Sequence, residues 1–145
     1  MPSWRDTASP QAQRDLDELL NTALGFAQQQ LASRGEFYPY AVAIRVDGRA
    51  EMIPGRPAQP TSPATTDVIA SCLSALAARQ TQIRAGAVVA DVHAPDLGQD
   101  AIEVSLEHAE GQALRILLPY AKQRAGIDYG PIRASVGSRS VWAQS

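Results

Sequence analysis

The sequence holds one cysteine and one lysine among its 145 residues, and only 6% of the residues are aromatic. A single cysteine, Cys72, excludes an intramolecular disulfide framework and a zinc site built from several cysteines. The N-terminus shows no signal-peptide pattern, and no apolar run approaches the roughly 20 residues that cross a bilayer. We therefore expect a protein of the reducing cytoplasm, where lone thiols stay reduced.

A strong charge of either sign is also missing. The formal net charge is -2, whereas domains that bind nucleic acid usually carry a large positive excess. We expect neither nucleic acid nor a membrane as a partner. The chain is 45% hydrophobic and 19% charged, which excludes wholesale disorder. Its length suits a single domain over residues 1–145, with looser ends at 1–8 and 136–145.

Two helices are predicted from capping signals and apolar stripes. Ser9-Pro10 combines a side-chain cap with proline at the first helical position. Apolar residues then recur at spacings of three and four until Gly35 supplies a stop, so we predict a helix over 10–34. Ser62-Pro63 repeats the starting signal, and a second amphipathic stripe predicts a helix over 63–80.

Short and alternating apolar runs predict the strands. Two runs flank Asp47-Gly48, a pair that tolerates the positive φ of a type I′ hairpin turn. Prolines mark a loop at 54–61, and Pro119 is expected to end a strand. The predicted strands cover residues 41–46, 49–53, 87–93, 101–108, 113–118 and 127–134.

The element order is a helix, a hairpin, a second helix and a meander of strands. Short connections favour antiparallel pairing within the hairpin and the meander. Each helix carries one apolar stripe, so we expect both helices to cover the same face of the sheet. These features predict an α+β two-layer sandwich in the order α-β-β-α-β-β-β, with an antiparallel sheet of about 5–6 strands.

This order resembles the roadblock, longin and profilin-like group, in which helices pack on a central antiparallel sheet. The resemblance implies a scaffold or regulator that dimerises through its sheet or its helices, and it does so at the level of the fold alone. Three stretches are also similar to a class of small bacterial proteins without a settled activity, so they bring no catalytic residues. The stretches are residues 35–40 with Asp47-Gly48, Glu107-His108 with Gly111, and Pro119-Tyr120 followed by Tyr129-Gly130.

Asp91 and His93 are the candidates for a metal or chemical site. They lie two residues apart in a predicted strand, so both side chains point to the same side. A histidine beside carboxylates at a strand end suits a divalent metal or acid–base chemistry. The alternative is that the following carboxylates, Asp96 and Asp100, belong to an ordinary polar turn, because no established metal-binding spacing accompanies them.

Further polar residues follow on the next two strands. Glu103, Ser105 and Glu107 line the outer side of one predicted strand, and Arg115 on the next strand is placed to oppose one of them. We interpret them as cross-strand pairs on a solvated sheet face, with a pocket floor or a partner surface as the alternative. Cys72 lies on an apolar helix stripe and is expected to be buried.

Aromatic residues form the candidate binding surface. Three of them stand at the entry to the first predicted strand, where some are expected to pack in the core. If several share a surface, they form the kind of aromatic patch found at interfaces, and two arginines beside the hairpin turn would form its rim. The candidate binding residues are Phe37, Tyr38, Tyr40, Arg45, Arg49 and Tyr120.

No nucleophile elbow or glycine-rich phosphate loop occurs in the sequence. We therefore expect no cofactor and predict a non-enzymatic binding or protein-interaction module, acting as a homodimer or on another protein. One alternative is a small ligand- or metal-binding enzyme that uses Asp91, His93 and nearby carboxylates. Another is an immunity protein that neutralises a toxin.

Overall fold

The computed structural model describes residues 8–35, 37–54, 65–94, 98–124, 126–137, 139 and 141–142. The helices are α1 (Pro10–Arg34) and α2 (Thr65–Ala78). The strands are β1 (Tyr40–Arg45), β2 (Ala50–Pro54), β3 (Ile83–Ala94), β4 (Gln99–His108), β5 (Ala113–Gln123), β6 (Gly126–Tyr129) and β7 (Arg133–Val136). The predicted α+β class and order of elements are confirmed.

The ends of α1 follow the capping signals of the sequence. Ser9 Oγ accepts the N–H of Ala12 at 3.0 Å, and Pro10 occupies a helical position whose N–H would have no partner. Gly35 adopts a left-handed φ of 78° and donates its N–H to Leu31 O at 2.9 Å. For α2, the predicted start at Ser62-Pro63 lies outside the described residues.

The described strands form one antiparallel sheet in the spatial order β2-β1-β3-β4-β5-β6, with β7 also paired to β5. β6 pairs with residues 120–123 of β5, and β7 pairs with residues 114–117. The pairing register shifts by one residue between these two segments, which places a bulge at residues 130–132. The single strand predicted over 127–134 is therefore two strands.

β5 also continues beyond Pro119, where the sequence predicted an end. The carbonyl of Pro119 points toward the bulge and accepts the N–H of Gly130 at 2.8 Å. The N–H that proline lacks would point to the same side, where the ladder is already interrupted. Pro119 is thus accommodated within a longer strand.

The prediction that both helices cover one face of the sheet is wrong. α1 packs against the side that carries Val42, Val89 and Val104. α2 packs against the opposite side, where Cys72 and Leu76 contact Ala41, Ala43 and Val88. The molecule therefore has three layers, with the sheet between the helices, and Cys72 is buried as predicted.

The physical reason lies in strands that are apolar on both sides. All residues of β1 from Tyr40 to Ile44 are buried, and so are residues 85–90 of β3. Because successive side chains point to opposite faces, such strands need cover on both faces. A single layer of helices would leave Ala41, Ala43 and Val88 in water.

Buried polar groups tie α1 to the sheet. Asp15 on α1 receives hydrogen bonds from Arg84 Nη2 at 2.9 Å and from His108 Nε2 at 3.0 Å. The backbone N–H of Glu110 donates to His108 Nδ1 at 3.1 Å, which assigns the imidazole proton to Nε2. His108 is thus a buried structural residue at the end of β4.

Glu107 is buried, which corrects its interpretation as part of a solvated face. Its carboxylate accepts the backbone N–H groups of Val141 at 2.9 Å and of Trp142 at 2.5 Å. Val141 is itself buried and packs on the α2 side of the sheet. Part of the C-terminal end, where we expected a looser segment, is therefore held against β4. Among the described residues, no helix is long and apolar enough to cross a membrane.

Candidate functional site

Asp91 and His93 lie near the end of β3, on the side of the sheet that carries α1. They bond to different partners. The Tyr120 hydroxyl donates to Asp91 Oδ1 at 2.5 Å, and His93 Nδ1 lies 3.1 Å from Asp100 Oδ1. Asp96 lies outside the described residues.

Burial is the main cause that raises the pKa of the Tyr120 hydroxyl, and the hydrogen bond and charge of Asp91 raise it further. The hydroxyl therefore stays protonated near neutral pH and serves as a donor. Among the described residues there is no group of three or more His, Cys, Asp or Glu side chains that could hold a metal ion. A metal role for Asp91 and His93 stays a prediction.

The aromatic candidates divide between core and surface. Tyr40 is buried, donates its hydroxyl to Ala23 O at 2.6 Å, and meets the rings of Phe26 and Phe37 edge-on at 4.8 and 5.7 Å. These rings join α1 to β1, which explains them as packing residues. Tyr38 is 68% exposed and is the member of the group that faces solvent.

Arg45 and Arg49 stand apart from the aromatic residues. Both lie beside the hairpin turn, with side-chain nitrogens 3.9 and 4.0 Å from Asp47. Tyr40 begins β1 and Arg45 ends it, so about 17 Å of extended chain separates them. The structure does not bring the arginines and the aromatic rings into one patch.

The charge pair expected across β4 and β5 is confirmed. Arg115 Nη2 lies 2.6 Å from Glu103 Oε2 on the outer side of the sheet. Next to it, a groove of about 210 Å³ runs between α2 and β5, lined by Leu73, Val88 and this ion pair among others. An exposed pair of this kind contributes little to stability.

A larger cleft of about 510 Å³, which we name the helix-end cleft, lies where α1 ends above β5 and β6. None of its charged residues was predicted as a site. Lys122 lies two residues after Tyr120 on β5, so the two side chains share one face of the sheet. That face is the one on which α1 packs. Burial raises the pKa of Tyr129, whose hydroxyl therefore stays protonated. The cleft is lined by Gln28, Leu31, Ala32, Gly35, Lys122, Gln123, Arg124, Gly126, Ile127 and Tyr129.

The β6–β7 edge of the sheet is the most exposed apolar part of the described chain. The described residues include six exposed large hydrophobic side chains. Three of the six lie between residues 129 and 136. Val136 is 87% exposed and Ile132 is 51% exposed. All four residues of β7 are exposed.

Comparison of the chain with models of known families, with curated proteins and with solved structures found no match. The resemblance to the roadblock, longin and profilin-like group thus stays a prediction.

Proposed function

We propose that this protein is a non-enzymatic interaction module that forms a homodimer through the outer edge of β7. The observation that carries the proposal is the self-complementary pattern of residues 132–136, which suits pairing with the same strand of a second copy. Three properties of this segment support it: the direction of its backbone groups, the order of its apolar side chains, and the position of its charge.

The backbone of β7 offers unpaired groups on its outer side. Gly137 donates its N–H inward to Ala113 O at 3.0 Å, and inward and outward residues alternate along an antiparallel strand. Ala134 and Val136 therefore present their N–H and C=O groups outward, and Ile132 precedes them in the same alternation. In the part of the chain that the structure describes, β7 pairs with β5 alone. Such an edge is a template for another strand.

The side chains match in the register that these backbone groups require. An antiparallel pair centred on Ala134 places Ile132 opposite the second copy's Val136, on the side of the sheet that carries α1. On the other side it places Arg133 opposite the second copy's Ser135. Two arginines therefore do not face each other directly, and the apolar side chains cover one another.

The edge strand is short, so we expect the dimer to be weak. β7 has four residues, and small interfaces are typical of weak complexes. We expect a concentration-dependent dimer in a reducing compartment such as the cytoplasm, where the free Cys72 thiol is kept reduced. We propose a protein partner, and we propose neither nucleic acid nor a membrane as a partner.

Sedimentation velocity over about a 100-fold range of protein concentration tests the proposal. The wild type is expected to associate, and Val136→Glu or Ile132→Lys alone is expected to abolish association. The double variant is expected to restore it, because each introduced lysine then faces the other copy's glutamate. Met52→Glu is the matched control, since Met52 is exposed on β2 at the opposite edge.

Three results would overturn the proposal. The first is a wild type that stays monomeric at every concentration. The second is a Met52→Glu variant that loses association as fully as Val136→Glu does, because the effect would then not belong to β7. The third is a double variant that remains monomeric while unfolding as cooperatively as the wild type, which would refute the register.

A further inference from the structure

We propose that the helix-end cleft binds a small organic anion, a carboxylate or phosphate monoester on a short apolar body. Its volume of about 510 Å³ lies in the range of small-molecule sites, roughly 300–1,000 Å³. The cleft uses residues of α1, β5 and β6, so the inference does not depend on dimerisation through β7.

Two cations of the cleft have no counterion among the described residues. Lys122 and Arg124 both line it, and neither forms a salt bridge within the described residues. Other arginines do: the side chain of Arg84 lies 2.9 Å from a carboxylate oxygen and that of Arg115 lies 2.6 Å from one. In a chain with more acidic than basic residues, two cations without a salt bridge in one cleft favour an anionic ligand.

The described lining of the cleft contains no carboxylate. Among the residues that the structure describes there, none is an aspartate or glutamate. The carboxylate on β6, Asp128, falls between Ile127 and Tyr129, so strand alternation turns it to the opposite side of the sheet. Ile127 and Tyr129 themselves face the cleft. An anion would therefore meet no like charge from the described lining residues.

Lys122 lies beside the end of α1. Its Nζ lies 3.4 Å from the place that a Cβ atom on Gly35 would occupy. The carbonyl end of a helix carries partial negative charge, which attracts the ammonium and keeps it at the cleft. A partial charge of this kind holds the side chain without neutralising it, so the ammonium can still bind an anion.

The remaining lining suits the body of such a ligand. Leu31, Ala32 and Ile127 provide an apolar wall, and the Tyr129 hydroxyl is a hydrogen-bond donor beside it. Sites of this type combine apolar walls with a few polar groups that fix the orientation of the ligand. The geometry fits a head group between the two cations and a short alkyl chain against the wall.

Chemical-shift titration of the full chain with four probes tests the inference. Hexanoate and hexyl phosphate are expected to shift the backbone signals of Lys122 and Tyr129 and to saturate, each with a Kd below about 10 mM. Inorganic phosphate is expected to bind more weakly because it lacks an apolar body. Hexylammonium is expected not to bind.

Variants of the lining residues test whether the anions bind in the helix-end cleft. Lys122→Gln and Arg124→Gln are each expected to weaken hexyl phosphate about tenfold, the effect of one charge-assisted contact. Arg14→Gln, at an exposed arginine near the opposite end of α1, is the matched control and is expected to change nothing. Lys122→Glu is expected to admit hexylammonium and to reject hexanoate.

The inference fails if neither hexanoate nor hexyl phosphate gives a saturable shift. It fails equally if Arg14→Gln weakens binding as much as Lys122→Gln, because the response would then be general charge screening. Binding of hexylammonium by the wild type at the affinity of hexanoate would show an apolar crevice without selection for charge.

Discussion

Replacing Asp15, a buried residue of α1, by alanine is expected to destabilise the fold strongly. The carboxylate is buried between α1 and the sheet and accepts from Arg84 at 2.9 Å and from His108 at 3.0 Å. The substitution removes the acceptor of both donors at once. The imidazole N–H of His108 then cannot donate to water instead, because the His108 side chain is only 2% exposed.

The two lost contacts differ in weight. A buried donor left without its acceptor costs about 1–3 kcal/mol, and the His108 contact belongs to this class. The Arg84 side chain is 25% exposed, so water partly replaces its contact and the loss is nearer ~1 kcal/mol. Together they predict a loss of about 3 kcal/mol, a large fraction of the roughly 5–15 kcal/mol that stabilise an ordinary domain.

Urea unfolding followed by circular dichroism measures this loss. Glu18→Ala is the control, because Glu18 is an exposed acidic residue on the same helix; its effect is expected within about 0.5 kcal/mol. The dependence of the unfolding free energy on urea should be unchanged. A loss at Asp15 below ~1 kcal/mol, or one equal to that of Glu18→Ala, would refute the view that a buried polar link joins α1 to the sheet.

Three further predictions follow from buried groups. Glu107→Gln places an amide N–H₂ against two backbone donors, so unfolding should cost about 2 kcal/mol less than in the wild type, whereas Glu18→Gln should be neutral. Burial raises the pKa of the Cys72 thiol to about 11, so maleimide should label it near neutral pH only after denaturation; rapid native labelling would contradict this. Burial also raises the pKa of Tyr40 and Tyr120 above the usual 10.0. The folded state then binds more protons than the unfolded state above pH 10, and the free energy of unfolding should fall there as pH rises; Tyr120→Phe should reduce that fall.

Local signals in the sequence were sufficient for most of the elements. The cap at Ser9 and the stop at Gly35 determine both ends of α1, which spans the predicted residues. The hairpin predicted at Asp47-Gly48 joins β1 to β2, and Gly48 takes a positive φ of 89°. Its loop is one residue longer than the predicted two-residue turn, because Gly48 donates its N–H to Arg45 O at 2.8 Å and Arg45 faces Arg49. These features depend on neighbouring residues alone, so a sequence pattern captures them.

Features that depend on distant segments were harder to predict. Glu107 belongs to an alternating pattern typical of a solvated strand face, and nothing near it indicates that residues 141–142 return to cover it. Lys122 and Arg124 line a cleft only because the distant helix α1 ends above them. One local signal does indicate the three-layer arrangement. Consecutive residues of β1 and β3, such as Ala41 and Val42, are apolar and buried on opposite faces of the sheet, which requires cover on each face.

The widths of helix and sheet explain why the proposed interface is an edge. Six strands side by side span about 24 Å at ~4.8 Å spacing, whereas one helix is ~10 Å across and covers two or three strands. α1 packs on β1, β3 and β4 and contacts β6, and α2 packs on β1, β2 and β3. The two helices thus cover the centre of the sheet from both sides, and β7 lies outside their main contacts among the described residues. Exposed Val136 and Ile132 lie where no described helix covers them, and the proposed second copy would bury these side chains.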